Sequence, residues 1–236
     1  MWVAAAQPHL SDGDVDANVA AHVDAVRRSN ARLVVFPELS LTGYDLDAES
    51  IAPDDARLAP LVAACAAADA VALVGAPVDH RGAHRIGALL VTGAGARVVY
   101  AKMCLSGAEP GHFVASDEAG IFELDGWRVG VGLCKDTRIL EHLRAVRAEG
   151  IDVYVAGLIH SPDELHEFDK RARRIAEKMH VPVVFAGYAG PTAGYPETSG
   201  GSGVWDAAGE PIARAGAQPG EVVTVRLAPP PPPAPA

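Results

Sequence analysis

Strand-like apolar runs outnumber helix-like stretches in this chain by roughly eleven to four, and that imbalance constrains the fold more than any other feature. The runs are "WVAAAQ" (2–7), "RLVVFPE" (32–38), "VALVGAPV" (71–78), "IGALLVT" (86–92), "ARVVYAK" (96–102), "GWRVGVGLC" (126–134), "DVYVAGL" (152–158), "VPVVFAGYA" (181–189), "SGVWD" (202–206), "EPIARA" (210–215) and "EVVTVRL" (221–227). Helical patterning covers 14–30, 54–70, about 138–149 and 163–180; in the first, Val15, Val19, Val23 and Val26 share one face with Asp and Arg opposite. Several runs are apolar on both faces, so their sheets must be covered. A single doubly wound sheet needs more helices than this chain offers. Two sheets packed face to face, with helices outside, fit the pattern.

The 236 residues suit one large domain, expected over 1–227, better than two small ones. The proline-rich end, 228–236, is expected to be disordered. A formal net charge of −10 without a long basic run argues against nucleic acid and against an anionic membrane surface as partners. The start, "MWVAAAQPHLSDGDVD", lacks the basic region of a secretion signal, and no apolar run reaches the roughly 18 residues that a membrane span requires. Cys65, Cys104 and Cys134 show no CxxC spacing, which speaks for a reducing, cytoplasmic setting over a disulfide framework. His80 and His84 flank Gly82 with no third ligand near, so neither a metal nor another cofactor is expected.

Three strand ends carry reactive side chains, and strand ends are where layered α/β proteins place their chemistry. Glu38 follows a buried run and a proline in "VVFPELSLTGY"; Lys102 closes "ARVVYAK"; Cys134 closes "VGVGLC", with charge beginning at the next residue. A thiol between a strand and a helix lies near the helix N-terminus, where the dipole favours thiolate. A cysteine nucleophile needs a base for its proton, and positive charge or N–H donors for the oxyanion. Glu38 can be that base if burial raises its pKa.

These residues resemble the nitrilase, or carbon–nitrogen hydrolase, superfamily over most of the chain. "LVVFPELSLTGY" (33–44) looks like the family's base motif, "KMCLSGAEPGHF" (102–113) its lysine block, and "GVGLCKDTRILE" (130–141) its nucleophile elbow, in family order. The resemblance implies a four-layer α-β-β-α sandwich. It implies Glu38 as general base, Lys102 as oxyanion and positioning lysine, Glu109 as supporting glutamate and Cys134 as nucleophile. The backbone N–H of Lys135 would share the oxyanion. A thioester acyl-enzyme then forms on Cys134, and ammonia or an amine leaves.

Departures from the family pattern bear on the substrate. Lys135 stands where an aromatic residue is common, and Ile139 and Leu140 replace Phe-Pro; Asp136 favours the amidase-like side over nitrile cleavage. A small amide or N-carbamoyl compound is the expected substrate, bearing a carboxylate if Lys135 and Arg138 face it. His160 is a candidate substrate contact, although His160 and His166 read first as surface-loop histidines. Cys104 should share a side with Lys102 if the strand continues, and Cys65 reads as helix packing. The alternatives are a nitrilase, an acyltransferase with the same triad, or a catalytically silent scaffold. Family likeness also implies a homodimer, with the helices over 138–149 and 163–180 as candidate surfaces.

Overall fold

The structure, a computed structural model, describes residues 1–228; the proline-rich segment from 229 onward lies outside the described residues. In chain order the elements begin with β1 (Trp2–Gln7), α1 (Val15–Ser29), β2 (Leu33–Val35), α2 (Ala59–Ala68), β3 (Val71–His80), β4 (Ala83–Thr92) and β5 (Gly95–Ala101). They continue with β6 (Gly120–Leu124), β7 (Trp127–Leu133), α3 (Leu140–Ala148), β8 (Val153–Leu158), α4 (His166–Met179), β9 (Val183–Gly187), β10 (Gly203–Trp205), β11 (Pro211–Arg214) and β12 (Glu221–Arg226).

The strands form two six-stranded sheets, ordered β12-β1-β2-β3-β4-β5 and β11-β10-β9-β8-β7-β6. Each has a parallel centre, β1-β2-β3 in one and β7-β8-β9 in the other, flanked by antiparallel strands. No repeat is visible in the sequence, yet β1-α1-β2-α2-β3 and β7-α3-β8-α4-β9 follow one plan. Between the sheets lies a core that takes Val3, Val35 and Ile86 from one side and Val129, Val153 and Val184 from the other. On the outer face of the first sheet, Val19, Val26 and Leu61 of α1 and α2 meet Ala4, Val34 and Val74. On the outer face of the second, Leu143 and Val146 of α3 and Phe168 and Ile175 of α4 meet Tyr154, Ala156 and Phe185. Four layers, α-β-β-α, result.

Local chemistry sets the ends of these elements. The Asp14 carboxylate accepts from Ala17 N at 3.0 Å and starts α1, and Asn30, with φ of 48°, stops it. One strand, β6, was not foreseen. It pairs with β7 through the turn at Asp125 and Gly126, where φ is 50° and 80°. An Asp-Gly pair is a strong hairpin signal, but "GIFEL" is too short and mixed to stand out alone. Among the described residues no helix is long and apolar enough to cross a membrane.

Candidate active site

Glu38 leaves β2 through Phe36 and Pro37, and its main chain threads between the two sheets. Gly75 of β3 and Gly157 of β8 flank the passage. A Cβ at Gly75 would lie 2.4 Å from Leu39 N, and one at Gly157 would lie 2.6 Å from Glu38 N. Only the missing side chains let the backbone through. The Glu38 carboxylate is fully buried, and neither oxygen receives a well-aligned hydrogen bond from the protein.

Lys102, also fully buried, sits between two carboxylates just past the end of β5. Its Nζ lies 2.7 Å from Glu38 Oε1 and donates to Glu109 Oε1 at 2.8 Å. Glu109 further accepts from Tyr44 Oη at 2.5 Å and, on Oε2, from Ser106 N at 2.7 Å. Glu109 is thus well bonded, while Glu38 keeps lone pairs free to take a proton. Burial pushes Glu38 up to about 7, although Lys102 pulls it down. For Lys102, burial pulls down, but the charges of Glu38, Cys134 and Glu109 outweigh it and hold the ammonium charged.

Cys134 opens a 3-10 turn, Cys134–Arg138, directly after β7, and its φ is +38°. A non-glycine residue there is strained, so its surroundings must hold it. Asp136 does so from below: fully buried, it accepts from Leu133 N at 3.0 Å, Tyr100 Oη at 2.7 Å and Cys104 N at 2.9 Å. Thr137 Oγ1 donates to Cys134 O at 2.6 Å. Behind this lies His142, bonded to Tyr100 Oη at 3.2 Å and to Tyr154 Oη at 3.0 Å.

The thiol points toward Ile159 O at 3.5 Å. Burial, then the charge of Glu38, push it up to about 11, against the pull of Lys102. This corrects the expectation of a dipole-favoured thiolate. The turn after Cys134 spans only 5 residues, and burial together with the charge of Glu38 opposes the thiolate that a dipole would favour. A second correction concerns Cys104. Strand β5 ends at Ala101, so Cys104 does not share a strand face with Lys102 and instead ties its N–H to Asp136.

Cys134 borders a pocket of about 510 Å³, together with Tyr44, Tyr195, Lys135, Arg138 and His160. Glu38, Lys102 and Glu109 do not line it, but the charges of Glu38 and Lys102 act on the Cys134 thiol. Lys135 turns its ammonium to Leu105 O, and Arg138 is exposed. His160 is no surface residue: it is 3% exposed, and its Nε2 accepts from Arg171 Nη1 at 2.9 Å. Burial, with Arg171 beside it, lowers His160 to about 4, so the ring is neutral. His166, by contrast, is exposed.

Sequence reading missed Arg171, hidden in what looked like a solvated charged helix. The signal was its place between Phe168 and Ile175 at helical spacing, on the apolar face. Tyr44 and His142 were missed as well. Nothing local marks a tyrosine whose partner is 65 residues away.

The sequence signature of the family described as carbon-nitrogen hydrolase matches residues 2–230. A protein of Pseudomonas protegens named "Hydrolase in pqqF 5'region" is 28% identical over 181 residues, 72% of this chain and 62% of that protein. A glutamine-dependent NAD(+) synthetase of Mycobacterium tuberculosis is 42% identical over 93 residues, 36% of this chain and 13% of the synthetase. The chain thus spans less than two thirds of either relative. Among solved structures, an amidase variant from Nesterenkonia sp. AN1, carrying acrylamide added at its active-site cysteine, superposes with a TM-score of 0.85 at 23% identity, over 97% of this chain and 93% of that one. A CN-hydrolase superfamily protein of Xanthomonas campestris with an arsenic adduct in its active site reaches 0.85 at 18% identity, over 95% and 89%. These likenesses are of fold, whereas the signature spans nearly the whole sequence, and by it this chain belongs to the carbon-nitrogen hydrolase family.

Proposed function

We propose that this hydrolase cleaves a small non-peptide amide through a Glu38–Lys102–Cys134 triad. One observation carries the reading: a fully buried Glu38–Lys102–Glu109 charge chain acts on a cysteine held at φ of +38° beside a pocket. With its thiolate disfavoured, Cys134 depends on a base, and Glu38 is the unsatisfied carboxylate at hand. Glu38 takes the thiol proton while sulfur attacks the carbonyl carbon. Lys102 Nζ and the backbone N–H of Lys135 hold the developing oxyanion, and Glu109 keeps Lys102 charged and in place. Glu38 returns the proton to the leaving nitrogen, which departs as ammonia or amine. Water, activated by Glu38, then hydrolyses the thioester.

The Nesterenkonia enzyme is an amidase, and one relative is named as glutamine-dependent; both support an amide over a nitrile as substrate. Three free cysteines support a reducing, cytoplasmic setting. Leu140 and Leu165, exposed at the starts of α3 and α4, support these helices as surfaces of a homodimer.

The test is ammonia release from a panel of short amides, with intact mass measured after acid quench. A mass gain equal to the acyl group, absent in Cys134→Ala and removed by hydroxylamine, is the expected result. Ammonia release undiminished in Cys134→Ala would end this reading.

A further inference from the structure

Arg171 is a buried charge that takes no step in the triad chemistry, although its positive charge favours the Cys134 thiolate. It is 4% exposed, yet it borders the pocket from α4. Its Nη1 donates to His160 Nε2 at 2.9 Å and to Thr137 Oγ1 at 3.3 Å, two neutral acceptors. Its Nε has no hydrogen-bond partner. The nearest carboxylate, Glu167, keeps Oε2 3.6 Å from Nε and gives Oε1 to Lys170 at 3.0 Å. A buried guanidinium is costly unless an anion pairs with it closely, and 3.6 Å to a single Glu167 oxygen leaves that pairing weak.

The surroundings say what kind of anion. Because His160 Nε2 accepts, its proton sits on Nδ1, which lacks a hydrogen-bond partner and lies 3.3 Å from Glu164 Oε2. Lys135 and Arg138 add positive charge to the same pocket. Its two carboxylates are already engaged: Asp47 with His112 at 2.9 Å, and Glu164 with Ser161 N at 3.3 Å and Ser161 Oγ at 3.1 Å. Tyr44 and Tyr195, in edge contact at 5.4 Å, and Ile159 supply apolar wall for a short carbon chain. We propose that the buried Arg171–His160 pair, with Lys135 and Arg138 alongside, receives a carboxylate at the far end of the substrate. The substrate class is then a short amide ending in a carboxylate. This rests on the reading that Cys134 attacks the amide, but the subsite itself can be tested apart from turnover.

The test reads iodoacetamide alkylation of Cys134 by peptide mass spectrometry, with glutarate or butyramide as protecting ligand. In the wild type, half-protection by glutarate is expected at a concentration at least tenfold below that for butyramide. Arg171→Gln should weaken glutarate protection at least tenfold more than it weakens butyramide protection. Arg171→Lys, which keeps the charge, should restore part of the glutarate protection, provided both variants unfold at wild-type temperatures or within a few degrees. Equal glutarate protection in wild type and Arg171→Gln overturns the proposal. So does an Arg171→Gln effect confined to the unprotected alkylation rate, for Arg171 would then only steady the elbow through Thr137. Ammonia release separates the two readings. If glutaric acid monoamide and butyramide are both inert but the protection pattern holds, the subsite stands and the amidase reading fails. If both amides turn over with equal kcat/KM in wild type and Arg171→Gln, the amidase reading stands and the subsite fails.

Discussion

Glu38 holds its carboxylate where neither water nor a backbone donor can stabilise the charge, and this couples stability to pH in a definite direction. Its folded pKa is about 7 against an ordinary 4.5. Between those values the folded state binds more protons than the unfolded chain, so stability falls as pH rises through that window and levels off above it. The full effect is on the order of 3 kcal/mol. Glu38→Gln removes the titration. In urea unfolding, the variant should match the wild type near pH 5 and exceed it by pH 7.5, while ammonia release drops by roughly 10²–10⁴-fold. Parallel stability curves across the window would show that burial does not hold the proton on Glu38. The residue scale was also the most legible in sequence. Glu38, Lys102 and Cys134 each close an apolar run, so their placement at strand ends is a local property. Arg171 and His142 were not legible, because their meaning depends on which helix face turns inward.

At the scale of elements, the site is built from strand ends that approach only because particular side chains are missing. Glycines in β3 and β8 admit the Pro37–Glu38 main chain between the sheets. A methyl group at Gly157 would fall 2.6 Å from Glu38 N, 2.7 Å from Phe36 O and 2.8 Å from Pro37 C, all backbone atoms that cannot step aside cheaply. Gly157→Ala should therefore cost about 1–3 kcal/mol of stability by overpacking. It should also cost roughly 100-fold in amide turnover, since a base displaced by an ångström loses its alignment. Thermal unfolding and kcat/KM for one amide measure both. Loss of stability with full activity would mean that β2 shifts as a rigid body and carries Glu38 with it. The sequence marks Gly157 only as a glycine inside "DVYVAGL". What it makes room for lies on the other sheet, and no strand pattern contains that. The miss of β6 has a similar origin, because its identity comes from pairing with β7.

On the scale of the whole molecule, the two sheets divide the site between them. Glu38 and Lys102 leave strands of the first sheet, whereas Cys134 and His160 follow strands of the second. The chain also closes on itself: β12 returns to pair with β1 along its length, from Trp2 opposite Arg226 to Gln7 opposite Glu221, and the Met1 amino group donates to Leu227 O at 3.1 Å. A core shared by both sheets, and a first sheet that needs both ends of the chain, predict cooperative unfolding. The probes are already in place. Trp127 and Trp205, buried in the second sheet, carry the change in emission, since Trp2 in β1 of the first is already half exposed when folded; Cys65 is buried in α2 against the first. Tryptophan emission and Cys65 reactivity toward a thiol reagent should change at one urea midpoint. Val225→Ala, a deletion in β12 of the first sheet, should lower both midpoints together, by the equivalent of about 1–3 kcal/mol. Cys65 reacting at urea concentrations where the tryptophan emission is still native would show two separable units. The active site would then depend on their docking and not on folding, and activity would be lost with the Cys65 transition, ahead of the second sheet.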